Sequence, residues 1–370
     1  MSNNQNNIMK SILIIIFLIL NNIILFSAEP LCAYRSEGLW HFIDTEGKAY
    51  LEPMELYSCD GFSEGFYRVR KLEDGRLVWV FLNKNGKESF RPKCDILMDF
   101  RNGMAMTIDN YPDKDFDRRY GFVNTKGEQV VPIKYLDVTS FSEGLAFITD
   151  YKEHGYIDST GKFVIKLPEK IVGYNFSEGL APVSNSEYKV GYINNSGKVV
   201  IPYIYDEPGL FSEGKAKVTI NGKTGLMDKD QNIILEAKYF EVSEFSEGMA
   251  FAAIPGQELR FQWALLDSTG NILTEHKYLI VEKFSEGLSC VKDEENWHFL
   301  DKLGNQVIEN LASAGSFSGG LAWAVRKNSD GSATAGFINK KGKFVVELDN
   351  FTEVLDLRIN KRVYTTYIDK

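Results

Sequence analysis

Short apolar runs alternate with clusters of turn residues along nearly the whole chain. The clearest example is Gly155-Tyr156-Ile157-Asp158, then Ser159-Thr160-Gly161, then Phe163-Val164-Ile165. β-Branched and aromatic residues bounded by turn formers predict strands. Asp158 opens a turn by bonding the backbone two residues on. Gly161 supplies the positive φ that closes it, as in a type I turn with a G1 bulge. The same pattern begins at Gly121, Gly191, Gly225 and Gly336, with variants at His41, Val80, Ala264 and His298. Gly follows three residues after the Asp or Asn in every copy but one, where Gln231 stands after Asp228.

A second motif runs in step with the first. Phe-Ser-Glu-Gly begins at Phe62, Phe141, Phe176, Phe211, Phe245 and Phe284, with looser copies at Phe100 and Phe317. Successive spacings are 38, 41, 35, 35, 34, 39 and 33 residues. A fixed period of this size decides the fold before any other feature. One unit is read as three short antiparallel strands. Strand A follows Ser-Glu-Gly, strand B carries Gly-Tyr-Ile-Asp, and strand C follows the Asp/Asn turn. Tyr135, Tyr205, Tyr239 and Tyr278 each stand six residues before the next Phe, and the repeated Phe and Tyr are expected to be buried anchors between units. A Glu present in nearly every unit reads as a turn or strand-entry residue. Repeats need one local geometry many times, whereas catalysis needs one special position.

The unit Gly-Tyr-Ile-Asp-x-x-Gly-Lys, then Tyr, then Phe-Ser-Glu-Gly-Leu-Ala resembles the WG-containing (KWG) repeat family over about residues 34–370. Trp40, Trp79, Trp263 and Trp297 hold the family's Trp position, but none is followed by Gly. Where Gly is kept, at Gly121, Gly155, Gly191 and Gly225, the Trp is replaced. The resemblance implies a bacterial β-repeat protein and implies no activity.

The ends of the chain bear on its shape. Residues 1–28 hold Met9-Lys10 and an apolar run broken by Asn21-Asn22, which reads as a signal peptide with an uncertain cleavage site. Export to the periplasm, cell surface or medium is therefore expected, with no membrane span once the leader is removed. Residues 29–370 form the repeat array, about nine units and a partial C-terminal one. Ser36-Glu37-Gly38 runs directly into strand B of the first unit, so its strand A reads as missing or merged. Residues 354–360 and 363–369 read as strands A and B of a further unit. Ends that overlap rather than complement one another, and nine or ten units, favour an open, curved, solenoid-like array. The alternative is a closed, propeller-like ring.

Candidate chemistry is sparse. The 370 residues carry a formal charge of −9, which argues against binding a phosphate backbone. His41, His154, His276 and His298 are scattered without metal-ligand spacing. Asp113, Asp115 and Asp117 start like a calcium loop, but Arg118 replaces the required Gly and Asn124 the bidentate Glu. No cofactor, metal or catalytic constellation is read, and the chain is expected not to be an enzyme. Hydrolysis by Asp113 and Asp117 is the remotest reading. Cys59 and Cys94 lie in successive connectors, where a bridge between units is one arrangement and two thiols the other.

The long insertions, at 73–77, 109–119, 255–262 and 327–335, all fall between strands A and B. Equivalent loops of stacked repeats emerge on one edge. That edge, and within it Tyr111, Asp113, Asp115, Phe116, Asp117 and Arg118, is the expected binding surface for a partner protein. The alternative partner is a glycan or cell wall, with aromatics such as Tyr111, Phe116 and Trp323 stacking on sugars.

Overall fold

The computed structural model describes residues 30–110, 118–150, 152–256, 260–349, 353–356 and 361–363. Among them every regular element is a strand, and the strands form nine small antiparallel sheets. The leader region lies outside the described residues.

Each sheet is one repeat. The fourth is typical, with the strands Asp137–Val138, Leu145–Thr149, His154–Asp158 and Phe163–Lys166 side by side in chain order. The last three are the expected strands A, B and C. The first is an addition: its two residues, Asp137 and Val138, are too few to leave a pattern in sequence. It reaches strand A through Phe141-Ser142-Glu143-Gly144. There Ser142 and Leu145 exchange both backbone hydrogen bonds, and Glu143 and Gly144 have φ of 52° and 78°. This is the two-residue primed turn that matches strand twist. The B–C turn also forms as expected. Gly161 N–H donates to the Asp158 carbonyl at 2.9 Å, and Asp158 Oδ1 caps the N–H groups of Thr160 and Lys162. Gln231 adopts the same left-handed conformation as the Gly it replaces, at φ 67°.

The core is not one mass but nine clusters, each between successive sheets. Phe147, Tyr156 and Ile165 of the fourth sheet pack on Phe176, Ala181, Val183 and Ile193 of the fifth. Most anchors behave as expected: Phe100, Phe141, Phe176, Phe211, Phe245, Phe284 and Phe317 are buried, as are Tyr135, Tyr205, Tyr239 and Tyr278, whereas Phe62 is only partly buried. The last cluster joins Trp323, Phe337 and Val346 of the ninth sheet to Cys32 and Ile43 of the first. Nine sheets packed pairwise in a cycle make a ring, and each sheet is one blade of a propeller.

The closed ring, the alternative reading, is therefore the one that stands, and the preference for an open array is corrected. The ends are complementary. The first sheet is ordered Ala49–Met54, Leu39–Asp44, Pro30–Ser36, Glu353–Asp356, Lys361–Val363. Pro30–Ser36 is the strand A that seemed missing, and it pairs antiparallel with Glu353–Asp356 from the far end of the chain. Glu353–Asp356 is the first strand of that blade, not a further strand A. The misreading has a physical cause. Glu37 and Gly38, at φ 51° and 84°, use the same primed turn as the true Phe-Ser-Glu-Gly copies, but between strands A and B.

Cys59 and Cys94 form no disulfide. Although their connectors are successive, Cys59 lies in the core between blades 1 and 2 and Cys94 packs on the core between blades 2 and 3. Burial pushes the Cys94 thiol up to about 12.

Candidate binding face

Strand order gives the ring two different faces. The Ser-Glu-Gly turns and the Asp/Asn-x-x-Gly turns fall together on one. The A–B loops and the crossovers to the next blade fall on the other.

On the turn face the polar side chains tie one blade to the next. Ser142, Ser177, Ser212, Ser246 and Ser285 each donate Oγ–H to the carbonyl of the following blade's anchor Phe, at 2.6–2.8 Å. The repeated acid does the same with its carboxylate. Glu64 accepts the N–H of Gly103, Glu143 that of Gly179, Glu178 that of Gly214, Glu247 that of Gly287 and Glu286 that of Gly320. Glu213 accepts from both Glu247 and Gly248. Asn102 serves equally well, taking Gly144 at 2.9 Å. Lys229, Lys302 and Lys340 of the following blades pair with Glu178, Glu247 and Glu286 at 3.0–3.3 Å. Holding a non-glycine residue at positive φ costs about 1–2 kcal/mol, and these charge-assisted bonds offset that cost. The belt breaks at Gly319, which has no side chain to offer.

The family's Trp position also serves the ring. Trp79 Nε1–H donates to the Asp95 carbonyl at 2.8 Å. His154 Nε2–H and Thr224 Oγ–H, in the same slot, reach the equivalent carbonyls of Ile171 and Phe240. Each tethers strand B to the crossover entering the next blade.

The loop face is built differently. Its A–B connections range from two residues, Asp74-Gly75 and Asn221-Gly222, to the insertion after Asn110. It also carries apolar side chains in water: Tyr188 is 85% exposed, Leu72 62% and Tyr57 50%. Phe240 stacks on Phe261 with ring centroids 4.0 Å apart.

Of the residues singled out in sequence, Tyr111, Asp113, Asp115, Phe116 and Asp117 lie outside the described residues. Arg118 is exposed at the head of strand Arg118–Asn124, opposite Asn110 at the stem of the insertion. The stem is firmly made: Asp95 N–H donates to Asp109, and Asn110 N–H donates to Asp95 at 2.8 Å. Trp323 is only 1% exposed and packs edge-on against Phe337, so it offers no sugar platform.

The histidines stay apart, each against a local neighbour, and the buried atoms His276 Nε2 and His298 Nδ1 have no hydrogen-bond partner among the described residues. His41 stacks on Tyr34, His154 bonds Thr149, His276 stacks on Tyr239, and buried His298 bonds Asp293 at 2.8 Å. Among the described residues no group of His, Cys, Asp and Glu has metal-binding geometry. No described helix is long and apolar enough to cross a membrane. A cavity of about 270 Å³ beside the blade 4 loop is lined by Asp150, Lys152, Glu153, His154, Lys166 and Glu169. Asp150 there is spent capping the backbone of Lys152 and Glu153.

One cluster on this edge was not anticipated. Arg68 and Arg70 of strand Phe66–Glu73 lie in blade 2 with Asp60, Tyr57 and Trp79, and Arg68 reaches Asp99 of blade 3. The available signal was two arginines in strand A slots that other blades fill with Phe147 and Thr149, or Trp323 and Val325.

A ring of nine blades among the described residues, with turns of one length on one face and loops of variable length on the other, defines the class as a β-propeller. The chain belongs to the WG-containing repeat family. The family description "WG containing repeat" matches residues 26–73, 79–109, 120–150, 155–187, 191–223, 225–254 and 263–297. No curated protein matches the sequence. Among solved structures, BamB from Moraxella catarrhalis overlaps at 11% identity and a TM-score of 0.38, covering 83% of this chain and 91% of BamB. Prolyl oligopeptidase B from Galerina marginata, in its apo form, overlaps at 9% identity and a TM-score of 0.42, covering 82% of this chain and 55% of that one. A quinonprotein alcohol dehydrogenase-like protein from Bacteroides thetaiotaomicron overlaps at 12% identity and a TM-score of 0.34, covering 66% and 74%. Overlaps this loose carry no argument about activity.

Proposed function

We propose that the protein is an exported, non-enzymatic scaffold that holds a partner protein on its loop face. The observation that carries this reading is the contrast between the faces. Turn lengths on one face are fixed, and its Ser and Glu side chains are consumed in joining blades. The other face bears every long insertion and exposes Tyr57, Leu72, Tyr188 and Phe240. Loops of variable length on a rigid frame are where binding residues collect. The leader-like residues 1–28 support export.

The test is affinity capture from the envelope fraction of the source organism. One bait is the intact chain, and the other has residues 109–119 replaced by Asn-Gly, the two-residue turn used by other blades. The expected result is a specific protein held by the intact bait and lost from the shortened one, with both baits showing the same circular dichroism. Identical capture by both, or none by either, would contradict the reading.

A further inference from the structure

Arg68 and Arg70 stand two residues apart on one strand, yet the fold treats them differently. Arg68 is fully engaged. Its Nε donates to Asp99 at 2.8 Å, Nη1 to the Leu97 carbonyl at 2.9 Å and Nη2 to the Asp60 carbonyl at 2.8 Å. Arg70 is held only at Nε, by Ser58 Oγ at 2.8 Å and Asp60 Oδ2 at 3.4 Å. Neither of its Nη groups bonds any described residue. Its side chain keeps 29% of its exposure. The guanidinium carbon sits 5.0 Å from the Trp79 ring centroid and 5.4 Å from that of Tyr57. Trp79 is itself fixed by its bond to Asp95, and Ser58 is buried.

A guanidinium anchored at one end, walled by two rings and open at its paired Nη groups is a preorganised fork. Little rotamer freedom remains to be lost when an anion docks, and the fork matches two oxygens in a plane. The local charge decides which anion. Asp60 already offsets part of the Arg70 charge, and Asp95 and Asp109 lie at the same edge. That field disfavours a phosphate dianion or a polyanion and leaves enough attraction for a singly charged, planar group. We propose that the Arg70 fork of blade 2, flanked by Tyr57 and Trp79, is a carboxylate-recognition site, in which Arg70 takes the C-terminal carboxylate or an acidic side chain of the bound polypeptide. This rests on the reading of the loop face as the docking surface.

Calorimetric titration of the full chain with three N-acetylated peptides tests it. These are Ala-Ala-Tyr-Ala with a free C-terminus, the same peptide amidated, and amidated Ala-Asp-Tyr-Ala. At least one carboxylate-bearing peptide is expected to bind and the neutral amide not to. The free and amidated arms separate a terminal from a side-chain carboxylate. Arg70→Gln should weaken binding about tenfold or more, the cost of a charge-assisted bond. Arg70→Lys, which keeps the charge without the fork, should fall between. Tyr57→Ala removes a half-exposed wall without opening the core and should also weaken binding, which keeps the proposal testable if Arg70→Gln does not fold. Equal affinity for all three peptides, no binding of any, or no effect of both Arg70→Gln and Tyr57→Ala would overturn it. If the capture assay still shows loss on shortening residues 109–119 while Arg70→Gln captures normally, the carboxylate site falls and the docking face stands.

Discussion

A chain ending at residue 350 should lose more than about 5 kcal/mol of stability and expand. Removing Glu353–Asp356 takes away the strand that pairs with Pro30–Ser36 and with it buried Val354. The core between blades 9 and 1 then opens, exposing Trp323, Phe337 and Val346. Each large side chain returned to water costs about 1.5–3 kcal/mol. Whole domains are stable by only about 5–15 kcal/mol. Because Gly319 interrupts the belt at this seam, no Glu from blade 9 offsets the loss. Thermal unfolding and small-angle scattering would show a lower, broader transition and a larger radius of gyration. An unchanged melting curve would contradict ring closure as the source of stability.

Phe176→Ala should cost about 3–5 kcal/mol, the range for truncating a buried aromatic in a packed core. Phe176 is 1% exposed, meets Tyr156 edge-on at 4.9 Å and shares its cluster with Ile165, Ala181, Val183 and Ile193. Its carbonyl also receives Ser142 from the preceding blade. Stability in repeats is shared between neighbours, so hydrogen-exchange protection should fall first in blades 4 and 5. Leu303→Ala, at a side chain 77% exposed on a turn, is the control and should move the denaturation midpoint little.

Much of this architecture was legible in the sequence because it is local. A turn is specified by Asp158 and Gly161, a hairpin by the runs beside them, and an interblade anchor by a Phe recurring at a fixed period. The structural role of the repeated Glu followed from the same logic, although its actual work, capping the next blade's turn, appears only when two blades are side by side. Ring closure was not legible because it joins residues 32–35 to 353–356, and nothing in either segment names the other. The primed turn at Glu37-Gly38 then disguised a strand A–strand B connection as the start of a unit. Arg70 was overlooked for a similar reason. In the one-dimensional repeat it is a single polar residue in a strand, and only the pairing of three strands within blade 2 sets it between Tyr57 and Trp79.

The central claim is that the chain closes on itself, the ninth blade packing on the first and the end strands pairing across the seam. Its most direct test is a cross-link across the seam. Arg35 and Glu353 are register partners on the paired end strands. With both replaced by Cys, mild oxidation at low protein concentration should give an intramolecular disulfide between those positions, seen as a faster-migrating monomer and assigned by peptide mass spectrometry. No such cross-link, or only cross-links between separate chains, would contradict the closed ring.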